Sequence, residues 1–287
     1  MTHRTFVGLH IPKCAGTSFL DMALANMSRE QVFQNTSIIR NWNEKRPEFL
    51  DLFDYGTLKL VWGHSVHEQM LHYLHNPLLF TGMREPVKRL ISEVRYQIDL
   101  RARQGKTFDQ KTWLANQRNP ISWFIINRFP TLAERSNNSI TPVEKAKRVL
   151  RNFNHVYFTD TFAEGSKKIL AALGVDAVPL QSNRGVRDDV DIKIDHDNLR
   201  FDLELYEWAR QEFSDKEPDF TRELSDELNA FLSQGPKPDI LEAFLFSNQA
   251  GEYYGWNNLE NAIDDRVARA TRLLKEAQVY KRRLSTL

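Results

Sequence analysis

The sequence predicts an α/β fold: a parallel sheet flanked by helices, with a mainly helical C-terminal extension. Two observations carry this. Four short apolar runs, residues 6–10, 57–64, 78–83 and 156–159, are separated by segments of helical period, and alternating strand and helix patterns mark a parallel sheet. Charged or titratable side chains, Lys13, His64 and Arg84, lie just past the strand-like parts of three of those runs. Open α/β sheets bind ligands at that place, beyond the carboxyl ends of the strands. The 287 residues suffice for one large α/β domain with additions.

The first run, Phe6-Val7-Gly8-Leu9, leads into His10-Ile11-Pro12-Lys13-Cys14-Ala15-Gly16-Thr17-Ser18 and then into a helix-like stretch from Phe19 to Leu24. A strand, a tight turn carrying a lysine, and hydroxyls opening a helix suit a phosphate or sulfate group. The N–H groups at a helix start lack partners and lie at the positive end of the dipole, and Lys13 adds a full charge. The spacing is not that of the common nucleotide loop G-x-x-x-x-G-K-[ST], because Lys13 precedes Gly16 instead of following a glycine. The other reading of the segment is an ordinary helix start with Thr17 or Ser18 as N-cap.

A second segment runs Met83-Arg84-Glu85-Pro86-Val87-Lys88-Arg89-Leu90-Ile91-Ser92. Pro86 fits the first turn of a helix, and Val87, Leu90, Ile91 and Val94 recur at the helical period. Arg84 then sits at a strand end and Ser92 two turns into the helix. An arginine there suits a phosphate monoester through bidentate contacts, and a serine on the helix can donate once more. Taken alone, Arg84-Glu85 reads equally as a surface ion pair and Ser92 as a solvated helix residue.

Together these segments resemble the sulfotransferases that use 3′-phosphoadenosine 5′-phosphosulfate, especially the carbohydrate group of heparan sulfate and uronyl 2-O-sulfotransferases and their bacterial relatives. In that family I-P-K-x-x-G-T-S grips the 5′-phosphosulfate and R-[DE]-P-x-x-R-x-x-S grips the 3′-phosphate. Both occur here in that order, and the similarity covers about residues 5 to 215. The resemblance implies a P-loop-like sheet, a 5′ site made by Lys13, Cys14, Ala15, Gly16, Thr17 and Ser18, and a 3′-phosphate site containing Arg84 and Ser92. Cys14-Ala15 stands where the family often has Thr-Gly or Thr-Ala, which removes one hydroxyl and leaves the backbone donors. An Asn-containing loop that closes over the nucleotide in related enzymes falls at Asn183, Arg184 and Gly185, which read equally as a surface loop.

The resemblance also implies a general base. Gly63-His64 matches the family's Gly-His pair, and a histidine titrating near neutrality can take the proton of an acceptor hydroxyl. Lys13 is the second catalytic candidate, stabilising charge on the departing phosphate. The other reading of His64 is a cap on the next helix. His64/His67 and His72/His75 are each spaced i, i+3, but zinc sites draw on cysteines, or on a carboxylate or third histidine. No metal is assigned, and His67, His72 and His75 are read as solvated.

Phe108, Trp113, Asn119, Trp123, Phe124 and Asn127 combine flat apolar faces with amides suited to a saccharide acceptor, although Trp123 with Ile125 and Ile126 also reads as core. Arg95, Arg101, Arg103 and Lys106 suit an acidic acceptor or form a solvated helix face. The 39 basic and 38 acidic residues argue against a general nucleic-acid binder. Cys14, the single cysteine, excludes an intramolecular disulfide. The first strand begins within about five residues, leaving no room for a signal peptide or an anchor of ~20 apolar residues. A cytoplasmic, bacterial enzyme is expected, with a Golgi lumen only for a trimmed chain.

Residues 1–225 are expected to form the sulfotransferase domain and 226–287 the helical extension. In the extension Ile263, Val267, Ala270, Leu274 and Ala277 form a short heptad-like seam for packing or for pairing two copies. Two rival functions remain at this level. One is a nucleotide kinase, which needs a metal-holding carboxylate at a strand end; the other is a nucleotide-binding scaffold without catalysis.

Overall fold

In a computed structural model, residues 4–28, 31–35, 58–74, 76–176, 192–214, 216–221 and 223–235 are described. Among them five strands, β1 (Phe6–Leu9), β2 (Val32–Asn35), β3 (Leu60–Gly63), β4 (Leu78–Met83) and β5 (His155–Phe158), form one parallel sheet in the order β2-β3-β1-β4-β5. The four apolar runs are all strands. β2 is additional: Val32-Phe33-Gln34-Asn35 is a four-residue edge strand with a polar second half, too short and too mixed for a period-2 signal.

The strand order decides where the site lies. The chain steps outward from β1 to β2, returns through β3, then crosses β1 to reach β4 and β5. The direction of winding therefore reverses beside β1, and a crevice opens at the carboxyl ends of such a switch point. Leu9 pairs with Gly63 on one side and Thr81 on the other. Equal offsets past β1 and β3 thus lie side by side, and β4 runs two residues further before Arg84.

β1, β3, β4 and β5 are buried along their whole length, as expected for a parallel sheet covered on both faces. Helix α1 (Gly16–Asn26) buries Phe19, Leu20, Met22 and Ala23. The Phe19 ring lies 4.7 Å from Trp62 and 5.2 Å from Phe80. Trp62 and Phe80 close over β1 at 5.6 Å because Gly8 carries no side chain; a Cβ there would run into both rings.

Helix α2 (Pro86–Arg103) starts with Pro86, and Glu85 accepts from the N–H of Val87 at 3.0 Å and of Lys88 at 2.7 Å. Glu85 is therefore a cap, which answers the ion-pair reading of Arg84-Glu85. Next come α3 (Gln110–Ala115), α4 (Pro120–Arg128), α5 (Pro142–Leu150), α6 (Phe162–Ala172), α7 (Arg200–Phe213) and α8 (Asp226–Ser233). The starts of α4 and α7 are tied together. Asp202 accepts from Ile121 N and Ser122 N, both at 2.8 Å, and from Ser122 Oγ at 2.6 Å. Asn119 Oδ1 accepts from Phe201 N and Asp202 N.

In α8, Leu228 and Phe231 are buried, and the Phe231 ring meets His72 at 4.4 Å. The chain divides into two units, Met1–Lys237 and Pro238–Leu287. The heptad-like seam at 263–277 and the loop Asn183, Arg184 and Gly185 lie outside the described residues. Among the described residues no helix is long and apolar enough to cross a membrane.

Candidate functional site

The turn after β1 is built around two left-handed residues, Lys13 at φ 67° and Ala15 at φ 60°. Alternation of this kind turns successive N–H groups into one concavity that attracts anions. Ala15 is the N-cap of α1, and no side chain caps the helix, so the reading of Thr17 or Ser18 as N-cap does not hold. The N–H groups of Ala15, Gly16 and Thr17 have no acceptor among the described residues. Thr17 is exposed and Ser18 buried. Cys14 is turned inward: its N–H donates to Ile11 O at 3.3 Å, its thiol to Pro12 O at 3.7 Å, and burial pushes the thiol up to about 11. Its side chain is thus a neutral part of the loop.

Lys13 is half-buried, with its ammonium 4.3 Å from the centre of the exposed Tyr96 ring. Burial is the largest cause lowering its pKa; Glu93 opposes this, and the Arg89 and Arg84 guanidiniums push the same way as burial. Three cations therefore gather here. Arg84 lies at the end of β4; its backbone N–H meets the Cys14 thiol, and its side chain has no ion pair or hydrogen bond among the described residues. Arg89 reaches back from the first turn of α2, donating from Nε to Pro12 O at 3.2 Å, with Nη2 3.5 Å from Glu93. Its Nη1 is buried without a partner among the described residues. Glu93 is held by Gln97 at 2.9 Å. Arg89, Ser92 and Tyr96 follow at steps of three and four, so Ser92 lies on the helix face that meets the turn.

The third strand end supplies His64. Because Leu9 and Gly63 are paired, His10 and His64 are neighbours, with ring centres 3.9 Å apart at 23°. His64 Nδ1 lies 2.6 Å from His10 O. A carbonyl has no proton to give, so Nδ1–H donates and Nε2 keeps its lone pair. Burial is the largest influence on His64 and lowers its pKa; Arg128 acts the same way, while the bond to His10 O and Glu93 oppose it. The next helical turn, Glu68–Tyr73, is preceded by His67, so His64 caps nothing.

Other candidates fall elsewhere. His67 is buried rather than solvated, and burial lowers it to about 3; His72 packs on Phe231. Asn119 serves the α4–α7 junction, whereas Trp123 is 37% exposed. Arg101 and Arg103 lie in the last turn of α2, where cations complement the dipole. Arg89, Glu93, Tyr96 and His10 were not singled out from sequence. Arg89 is the second arginine of the R-E-P-x-x-R-x-x-S segment, a signal that was present; the others depend on tertiary contact.

Residues 2–231 match the model of the sulfotransferase family. That covers most of the chain, which belongs to this family, enzymes that transfer a sulfuryl group to an acceptor. Comparison with curated proteins finds no match.

Proposed function

We propose that the protein is an O-sulfotransferase that takes its sulfuryl group from 3′-phosphoadenosine 5′-phosphosulfate and delivers it to a hydroxyl of a saccharide. The observation that carries this is the gathering of Lys13, Arg84 and Arg89 around an uncapped helix start, with Glu93 beside Lys13 and Arg89. Like charges held together out of water cost free energy unless an anion joins them. The loop amides and Lys13 take the 5′-phosphosulfate; Arg84 and Ser92 take the 3′-phosphate. Asn183, Arg184 and Gly185 belong to the same proposal as residues that complete the nucleotide site.

His64 acts as the base through its bare Nε2. The acceptor O–H gives its proton to Nε2, the oxygen forms a bond to sulfur, and the sulfur–oxygen bond to the 5′-phosphate breaks in line. Lys13 and the amides of α1 meet the charge left on that phosphate. The lowered pKa of His64 keeps it neutral at pH 7, the form a base requires. The exposed faces of Tyr96, beside Lys13, and Trp123 suit the C–H face of a sugar.

Labelled phosphosulfate donor offered to a panel of glycans and small alcohols tests the reading. Transfer to a saccharide hydroxyl is expected, falling about 10²- to 10⁴-fold in His64→Ala with donor binding kept. Normal transfer by that variant removes His64 as the base, and absence of donor binding removes the whole reading.

A further inference from the structure

His10 is buried, and its Nδ1 has no partner among the described residues. Its ring is the middle of a three-ring stack, 5.3 Å from Trp62 and 3.9 Å from His64, each at 23°. The ring edge also occupies the space beside Gly16, where any Cβ would overlap it. His10 N donates to Gly63 O at 3.0 Å and His10 O accepts from His64 Nδ1 at 2.6 Å. One residue therefore touches the start of α1 with its ring edge and His64 with both its ring face and its carbonyl.

We propose that His10 is a positioning residue that sets the plane and tautomer of His64 and links them to the donor loop at Gly16. This rests on His64 being the base. The carbonyl selects the Nδ1–H form, and the ring, wedged against the rigid Trp62, keeps water from one face of His64 and aims Nε2 into the crevice. The titratable and charged groups facing His64 are Arg128 of α4 and Glu93 of α2, with His10 itself; those facing His10 are His64 and Lys13. His10 stays neutral throughout, since burial lowers it to about 2.

The test is nitrogen NMR of the full chain with labelled histidines, following the His64 ring against pH in the wild type, His10→Ala and His10→Phe. Binding of 3′-phosphoadenosine 5′-phosphate certifies the fold of each. In the wild type His64 should be a single Nδ1–H tautomer titrating below 6.5. In His10→Ala water reaches the ring, so the midpoint should rise toward the ordinary histidine value, while the Nδ1–H tautomer stays because the backbone carbonyl is kept. His10→Phe keeps a flat ring in the stack and should restore the wild-type behaviour. An unchanged His64 titration in a folded His10→Ala overturns the inference, as does a folded His10→Phe that behaves like the exposed ring. If His10→Ala does not bind the bisphosphate, His10→Phe decides alone. Normal transfer by His64→Ala would instead remove the base assignment, an outcome the NMR result does not mimic.

Discussion

Two helix starts in this protein share an unusual geometry and have opposite fates. α1 and α4 each begin after a left-handed residue, Ala15 at φ 60° and Asn119 at φ 46°, that does not cap its own helix. At α4 the first amides are answered from α7: Asp202 takes Ile121 N and Ser122 N, and Asn119 repays α7 with its own side chain. At α1 the amides of Gly16 and Thr17 are answered by nothing among the described residues, and Lys13 and Arg84 arrive instead of a carboxylate. A buried helix start must be satisfied by protein or by ligand. The first solution is architecture; the second is what we propose as the donor-binding site.

The sharpest way to break the comparison is Lys13→Ala. Transfer should fall about 10²- to 10³-fold, as when a charge-stabilising donor is lost, while the urea midpoint does not decrease, because one of three crowded cations has gone. Asp202→Ala should do the reverse: unfolding free energy falls by roughly 3 kcal/mol for the loss of three buried bonds, with bisphosphate affinity unchanged in the folded protein.

The pH profile gives a smaller effect. A base at the ordinary histidine value would leave the rate about twofold down at pH 6.5. The folded-state pKa of His64 is lowered, so its neutral form persists to lower pH and the half-maximal rate should fall below pH 6.5. A half-maximal rate at pH 6.5 or above contradicts the site described. Smallest of all, Cys14→Ser should leave bisphosphate affinity within about twofold, since both donors of Cys14 are engaged inside the loop and a lost neutral bond is worth about 1 kcal/mol. A larger change would mean that this side chain faces the ligand.

The site was more legible in the sequence than the network that holds it. Lys13, His64 and Arg84 each follow an apolar run, and a motif is local by nature. Arg89 stands in plain view in its segment, yet its bond to Pro12 spans 77 residues and leaves no local trace. The same holds for Asp202 and Ser122, 80 residues apart. β2 escaped because four half-polar residues carry no periodicity, and the buried state of His67 escaped because burial of a lone histidine is decided by what packs on it. Strand order was not legible either, although it alone brings the three strand ends together.

The central claim is that the start of α1 and the end of β4 hold the two phosphate ends of one nucleotide. Calorimetric titration of 3′-phosphoadenosine 5′-phosphate and of adenosine 5′-phosphate into the wild type, Lys13→Ala and Arg84→Ala tests it most directly. The bisphosphate should bind the wild type more tightly, and Arg84→Ala should weaken it about 10- to 100-fold, the worth of a charged hydrogen bond, while leaving adenosine 5′-phosphate nearly unaffected. Lys13→Ala should weaken both. If Arg84→Ala weakens the two ligands equally, or neither variant changes bisphosphate binding, the two-ended grip is wrong.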